Sequence, residues 1–218
     1  IGLGIPAEPL FRSSYDTGDK TYTANWTPNT YDITYDMGSE CVTSNVPSEY
    51  TELEYIQSSG TQYIDSGLYL NAADLLIETK VNKTSSGTSE QDIISTGGTG
   101  PSSGNMTLGL VNNTVFQQHS GGTNATVSIA STGTYTISAE YNANTHTKTL
   151  TVNGQSSTQN YPQSQELTNS VAYAKLFAQG SGTKNYFSGK MYYMKIYKNN
   201  ELAFNGIPAK RNSDNVIG

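Results

Sequence analysis

"GTYTISAEYNANTHTKTLTVNG", residues 133–154, alternates apolar and polar side chains on both sides of a short Asn-rich break. Strict alternation is the period of a half-buried strand, because successive side chains point to opposite faces of a sheet. The spacing therefore predicts a β-hairpin. Its first arm buries Tyr135, Ile137, Ala139 and Tyr141, its second buries Leu150 and Val152, and Asn142 to Thr145 make the turn. The same rhythm recurs outward from this hairpin. "ADLLIETKV" sets Leu75, Ile77, Thr79 and Val81 against Leu76, Glu78 and Lys80, and its β-branched end favours a strand over a helix. "NMTLGL" turns Met106, Leu108 and Leu110 inward. "GKMYYMKIYKN" places Tyr192, Met194 and Ile196 on one face and Met191, Tyr193, Lys195 and Tyr197 on the other. No helical segment of convincing length interrupts these runs, and turn signals recur every ten residues or so. The reading is all-β, with two antiparallel sheets packed face to face.

Composition agrees. The 218-residue chain is only 14% charged and carries 16 tyrosines among abundant Thr, Ser, Asn and Gly, residues that suit strands and tight turns. A net charge of −6 without any basic run excludes a nucleic-acid partner, whose phosphates require clustered Lys and Arg. No stretch approaches the roughly 18 apolar residues of a membrane span, so membrane insertion by this segment is not expected. The start, "IGLGIPAEPLF", lacks the basic lead of a signal peptide, and the chain reads as an excised piece of a larger multidomain protein. The single cysteine, Cys41, precludes an internal disulfide and reads as a small buried or linker residue. The sequons at Asn25, Asn82, Asn105 and Asn124 carry little weight in a chain so rich in Asn and Thr.

The chain divides at "MGSECVTSNVPS", residues 37–48, which has no sustained period and reads as a linker. Ahead of it, "GDKTYTANWTPNTYDITYD" resembles the closing strand of a Listeria–Bacteroides repeat, also called an internalin B-type repeat. Residues 1–36 would then be a partial β-rich repeat, with Trp26 in its small core; in that family such modules are stalk-like spacers of bacterial surface proteins. Behind the linker, residues 49–218 resemble the laminin-G-like, concanavalin A-like jelly-roll modules of large bacterial and phage surface proteins. The resemblance is carried by "YTELEYIQSSGTQYIDSG", the central hairpin, "KLFAQG", "FSGKMYYMKIY" and "GIPAKRNSDNVIG", in the family's order. It implies that the first and last strands lie side by side and that "QYIDSG" turns the first strand away from the edge. Asp65 then either hydrogen-bonds the amides of that turn or offers its carboxylate to a ligand or to calcium.

The same fold class includes glycoside hydrolases, which need two carboxyl groups across the scissile bond. The nearest approach to their strand motif is Glu90-Gln91-Asp92, but Ile93, Ile94 and Ser95 follow and the further acid is missing. A solvated loop entering a strand explains Glu90 and Asp92, and no catalytic residue is assigned. His119 and His146 stand in polar turn regions without a spaced second ligand, so zinc has no support. "GGTGPSSGN" lacks the ending of a phosphate loop and reads as a loop only.

Binding remains. Sugar sites stack an aromatic ring on the apolar face of a pyranose and hydrogen-bond its hydroxyls with amides and charged groups. If Ala174, Leu176 and Ala178 face inward, Tyr173, Lys175, Phe177 and Gln179 line the opposite face. Gln117 and His119 project together if Phe116 is buried, and Tyr186 sits in the loop "GSGTKNYF". These seven residues form the expected ligand surface. Three functions follow: a non-catalytic binding or adhesion module at the bacterial cell surface or outside the cell, recognising a glycan or a surface glycoprotein; an accessory or diverged domain of a carbohydrate-active enzyme; or a structural spacer. No cofactor is required, and calcium is admitted.

Overall fold

A computed structural model describes residues 46–97, 105–119, 123–162, 167 and 172–217, all within a unit spanning Ser44–Gly218. The repeat fragment at 1–36 with Trp26, Cys41 and most of the 37–48 linker lie outside the described residues.

The first sheet has seven strands. Along one path run β11 (Gln155–Asn160), β10 (Thr147–Val152), β9 (Gly133–Asn142), β4 (Leu75–Lys83), β13 (Ser188–Lys198) and β14 (Glu201–Gly206), and β2 (Ile56–Ser59) also pairs with β13. The second sheet has the order β3 (Ile64–Asp65), β12 (Lys175–Leu176), β5 (Gln91–Ser95), β6 (Met106–Val111), β7 (Thr114–His119) and β8 (Ala125–Ser128). A small third pair joins β1 (Tyr50–Glu52) to β15 (Ala209–Arg211), Tyr50 opposite Arg211. Every pairing between these strands is antiparallel, and the described residues contain no helix. The fold is all-β, as the alternation required, and the first and last strands of the module do lie side by side.

Side chains that alternate inward from the two large sheets form one core. Leu75, Ile77 and Val81 of β4, Tyr135, Ile137, Ala139 and Tyr141 of β9, and Leu150 and Val152 of β10 meet Met106, Leu108 and Leu110 of β6. The hairpin 133–154 thus buries the residues its pattern assigned, with Thr147 opposite Asn142 and Val152 opposite Ile137. The alternation expected along β13 is corrected by a bulge. Met191 pairs with Val81 and Tyr193 with Lys80, which leaves Tyr192 as the extra residue. The bulge shifts the phase by one, so that Met191, Met194 and Ile196 all point into the core.

Two short segments prepare the functional surface. Strand β12 ends at Leu176 because Phe177 adopts a left-handed backbone (φ 67°), which a bulky residue accepts only where its surroundings hold it. They do: the Phe177 amide donates to the Ile93 carbonyl (2.9 Å), its own carbonyl accepts from the Phe187 amide (2.8 Å), and its ring stacks on that of Phe187 at 5.9 Å. The chain then loops out through residues 178–187 and returns as β13. On the far side, Asp65 closes an Asx-type turn by accepting from the Gly67 amide (3.1 Å), the turn-forming role that its place before Ser66-Gly67 suggested.

Candidate functional site

Three tyrosines stand exposed around the β3–β12 edge of the six-stranded sheet. Tyr63 is 47% exposed, Tyr69 40% and Tyr173 42%. Backbone pairing sets their positions. The Ser66 amide and hydroxyl both donate to the Ala174 carbonyl (3.0 and 2.8 Å), and the Ala174 amide donates back to Leu68 (2.8 Å). This brings Tyr69 beside Tyr173, with ring centroids 4.4 Å apart and planes inclined by 43°. Register places Asp65 opposite Lys175, and the two form an ion pair. That bond, supported by the Gly67 amide, holds the Asp65 carboxyl below the usual carboxylate range. The Lys175 ammonium also lies 5.4 Å from the Tyr63 ring centroid, a cation–π distance.

The turn beneath Tyr63 requires glycine. Gly182 is left-handed (φ 68°), and a Cβ there would stand 2.9 Å from the Tyr63 ring. The Gly182 carbonyl accepts from the Tyr186 hydroxyl (2.7 Å), so Tyr186 braces the loop from below. The arrangement is an aromatic and polar strip. Its ammonium is neutralised by its own carboxylate, and its three rings are each 40–47% exposed.

Of the seven residues expected from sequence, the structure gathers Tyr173 and Lys175 here, with Tyr186 as their support. Four are placed otherwise. Phe177 is buried because the strand ends before it, and its ring packs in the core. Gln179 is buried in the loop, where its amide donates to the Lys184 carbonyl (3.1 Å). Gln117 and His119 do project together and Phe116 is buried, but the pair points between the sheets. Gln117 shares a cross-strand row with Leu108 and Ile94, and both residues are wholly buried. The polar turn expected for His119 is likewise corrected: it is a β7 strand residue packed edge-on against Tyr141 (5.3 Å) and Tyr161 (5.4 Å). Burial and the nearby Lys148 ammonium push its imidazole down to about 4, so it is neutral at physiological pH. Tyr63 and Tyr69 were not anticipated. They are the two ends of "YIDSGLY", residues 63–69, and only that segment's long-range pairing with residues 174–176 gives them aromatic and charged neighbours.

Asp92 corrects another expectation. Glu90 is exposed ahead of β5, but Asp92 lies wholly buried within the strand rather than in a solvated loop. Elsewhere, a cleft of about 280 Å³ opens at the end of β4 and β9, lined in part by Asp74, Glu140, Asn142, Asn144, Tyr197 and Asn200. Two of its polar groups are engaged in building its wall: Asp74 accepts from the Ala143 amide (3.0 Å) and Asn142 from the Thr145 amide (3.1 Å).

No protein family and no curated protein matches the chain by sequence. Solved structures do match in shape. The CBM40 of the Ruminococcus gnavus IT-sialidase, solved with alpha2,3 sialyllactose bound, is 15% identical with a TM-score of 0.56, over 67% of this chain and 90% of that one. Domains LG4-5 of the mouse laminin alpha1 chain are 16% identical with a TM-score of 0.52, over 70% and 44%. Tailspike protein 2 of Escherichia coli O157:H7 bacteriophage CAB120 is 12% identical with a TM-score of 0.50, over 66% and 22%. At these identities the likeness is one of architecture, and the chain is similar in fold to laminin-type and CBM40 jelly-roll sandwiches.

Proposed function

We propose that residues 49–218 form a non-catalytic carbohydrate-binding module, and that the strip of Tyr63, Tyr69, Tyr173 and Lys175 at the β3–β12 edge is its ligand surface. The observation that carries this reading is the exposed Tyr69–Tyr173 pair beside the Asp65–Lys175 ion pair. Exposed apolar side chains are ordinary when scattered singly and informative when grouped. Here they offer stacking faces for pyranose rings next to a donor and an acceptor for hydroxyls. The fold neighbour solved with sialyllactose supports the substrate class. Because Lys175 is already paired with Asp65, the strip carries no net charge and favours neutral hydroxyl-rich faces over acidic ones. The extracellular, bacterial cell-surface setting, the adhesive role and the stalk-like repeat at residues 1–36 belong to the same reading and rest on sequence resemblance.

A glycan array followed by calorimetry on the best ligand tests it. Tyr69→Ala and Tyr173→Ala are each expected to weaken binding about fivefold or more, since an aromatic contact contributes on the order of 1 kcal/mol. Glycan binding unchanged in both variants would remove the strip as the site, and binding lost on substitution of Tyr197 instead would move it to the 280 Å³ cleft.

A further inference from the structure

The outer face of the seven-stranded sheet carries a cleft that glycan recognition at the β3–β12 edge does not use. Strand β4 sends Leu75 into the core and leaves Leu76 half-buried on the outside. Register sets Tyr197 of β13 on one side of Leu76 and Glu140 of β9 on the other, and all three line the cleft of about 280 Å³. Beyond Tyr197 the same cross-strand row continues to Leu202 of β14, which is 53% exposed. The end of the cleft is closed by two turns tied to one residue. Asn199 and Asn200 are both left-handed (φ 51° and 66°) and reverse the chain between β13 and β14, as a type I′ turn requires. The Asn199 amide donates to the Asp74 carbonyl (2.8 Å), and the Asn199 carboxamide oxygen accepts from the Asp74 amide (3.1 Å). The Asp74 carboxylate accepts in turn from the Ala143 amide (3.0 Å), in the turn that follows β9. Main-chain bonds therefore hold the end wall in place, and the cleft forms without a ligand.

We propose that this cleft binds an amino-sugar unit through its free ammonium group. Volume, lining and charge each narrow the ligand. A cavity of about 150 Å³ takes one benzene ring, so 280 Å³ holds one sugar ring with its substituents. Leu76 and the Tyr197 ring offer apolar surface for the carbon face of a pyranose, and the Asn144 and Asn200 carboxamides stand at the turns to meet its hydroxyls. The charge in the cleft is all of one sign. Among the described residues neither Glu140 nor Asp74 is in an ion pair, and no lysine or arginine lines the wall. The ammonium next along β13, that of Lys198, is taken up by the Tyr69 carbonyl (3.1 Å) and Asn71 Oδ1 (3.0 Å). A cleft with carboxylates of one sign focuses its field on an incoming cation and repels an acidic sugar. A protonated amine on the ring is the group that answers both the charge and the hydrogen-bond acceptors. None of these residues belongs to the tyrosine strip at the β3–β12 edge, so the two sites are tested separately.

The test is calorimetric titration of the whole 218-residue chain with glucosamine oligomers, the deacetylated fragments of chitosan, at about pH 6, where the sugar amine is protonated. The N-acetylated oligomers keep the same ring and replace the ammonium by a neutral amide. The deacetylated form is expected to bind about tenfold more tightly or better, with an affinity that falls as salt is added. Glu140→Gln, at an exposed position, and Asp74→Asn, which keeps an acceptor for the Ala143 amide, should each weaken binding about tenfold. Tyr197→Ala should weaken it about fivefold. Glu52→Gln removes one charge of the same sign outside the cleft and should leave binding unchanged, and Tyr69→Ala should leave the preference for the free amine intact. Equal affinity for the acetylated oligomers, or no binding of the deacetylated ones up to about 10 mM, would overturn the proposal. So would unchanged binding in the folded cleft variants. An equal loss in Glu52→Gln would also overturn it, by tracing binding to the chain's net charge of −6.

Discussion

Lys148 points from β10 into the gap between the sheets and is wholly buried, and its ammonium has no hydrogen-bond partner. The groups around it are Tyr141, opposite it on β9, and the His119 imidazole, onto which its charge acts. Burial lowers the ammonium from 10.5 to about 8. At about 1.36 kcal/mol for each tenfold change in proton affinity, holding the charged form in the fold costs roughly 3 kcal/mol. At pH 7 Lys148 is protonated in both the folded and unfolded chain, so the whole cost is present. Lys148→Met keeps the aliphatic stem and removes the charge, and it should stabilise the protein by about 2–3 kcal/mol at pH 7. Urea unfolding followed by circular dichroism measures this directly, and its pH dependence identifies the cause. Between pH 8 and 10.5 the unfolded chain still binds this proton while the folded chain does not. The parent therefore regains stability across that window and its difference from the variant closes. Tyr135, Tyr141 and Tyr193, raised by burial, make both proteins less stable above about pH 10 and cancel in the difference. A variant less stable than the parent at pH 7, or a gap that stays constant to pH 10.5, would refute the reasoning.

His119 gives the acid-side counterpart. Its folded value of about 4 lies below the unfolded 6.5, so the unfolded chain takes the proton first and stability falls by about 3 kcal/mol as pH drops from 6.5 to 4; His119→Phe should flatten that limb in urea melts across the same pH range. Phe177→Ala removes a core ring stacked on Phe187 and should cost roughly 3–5 kcal/mol in thermal or urea unfolding, marking this residue as structural rather than ligand-facing. Gly182→Ala forces a left-handed alanine against the Tyr63 ring, with an expected loss of about 1–3 kcal/mol and a weaker response on a glycan array, because the turn under Tyr63 must shift.

The hairpin at 133–154 and the strand at 75–83 were legible because each runs for several residues with one face in a core, and alternation over that length fixes both element and face. Where alternation failed, the backbone left its period for reasons the pattern does not encode. The bulge in β13 needs a register between two strands more than a hundred residues apart. The end of β12 needs the left-handed turn at Phe177, a residue whose side chain disfavours it. Asp65 was legible as a turn former because its role is local, two residues from its partner. Tyr63 and Tyr69 acquire a role only when residues 64–68 meet 174–176, and a sequence shows the rings without showing what stands beside them.

The polar residues inside the strands, of which Gln117, His119 and Asp92 were expected at the surface and Lys148 was not placed, escaped the pattern for a deeper reason, and they divide into two kinds. Gln117, His119 and Lys148 alternate correctly with apolar neighbours, but into the core, where a hydrophobic pattern predicts the opposite face. Edge-on tyrosines surround the neutral imidazole, and the unpartnered Lys148 ammonium beside it makes the cluster a net cost that substitution should relieve. Asp92 sits on the other side of its sheet, toward the loop of residues 178–187, and its neighbours are a second carboxylate, an amide and a main-chain carbonyl. Both sites bury an ionisable group, and the surrounding atoms decide what each means. Around Lys148 no group of opposite charge is available among the described residues, so removing the charge should stabilise the fold. Around Asp92, burial and the Glu90 carboxylate favour the protonated acid, so its cost falls as pH drops, opposite to that of Lys148, which falls as pH rises through about 8.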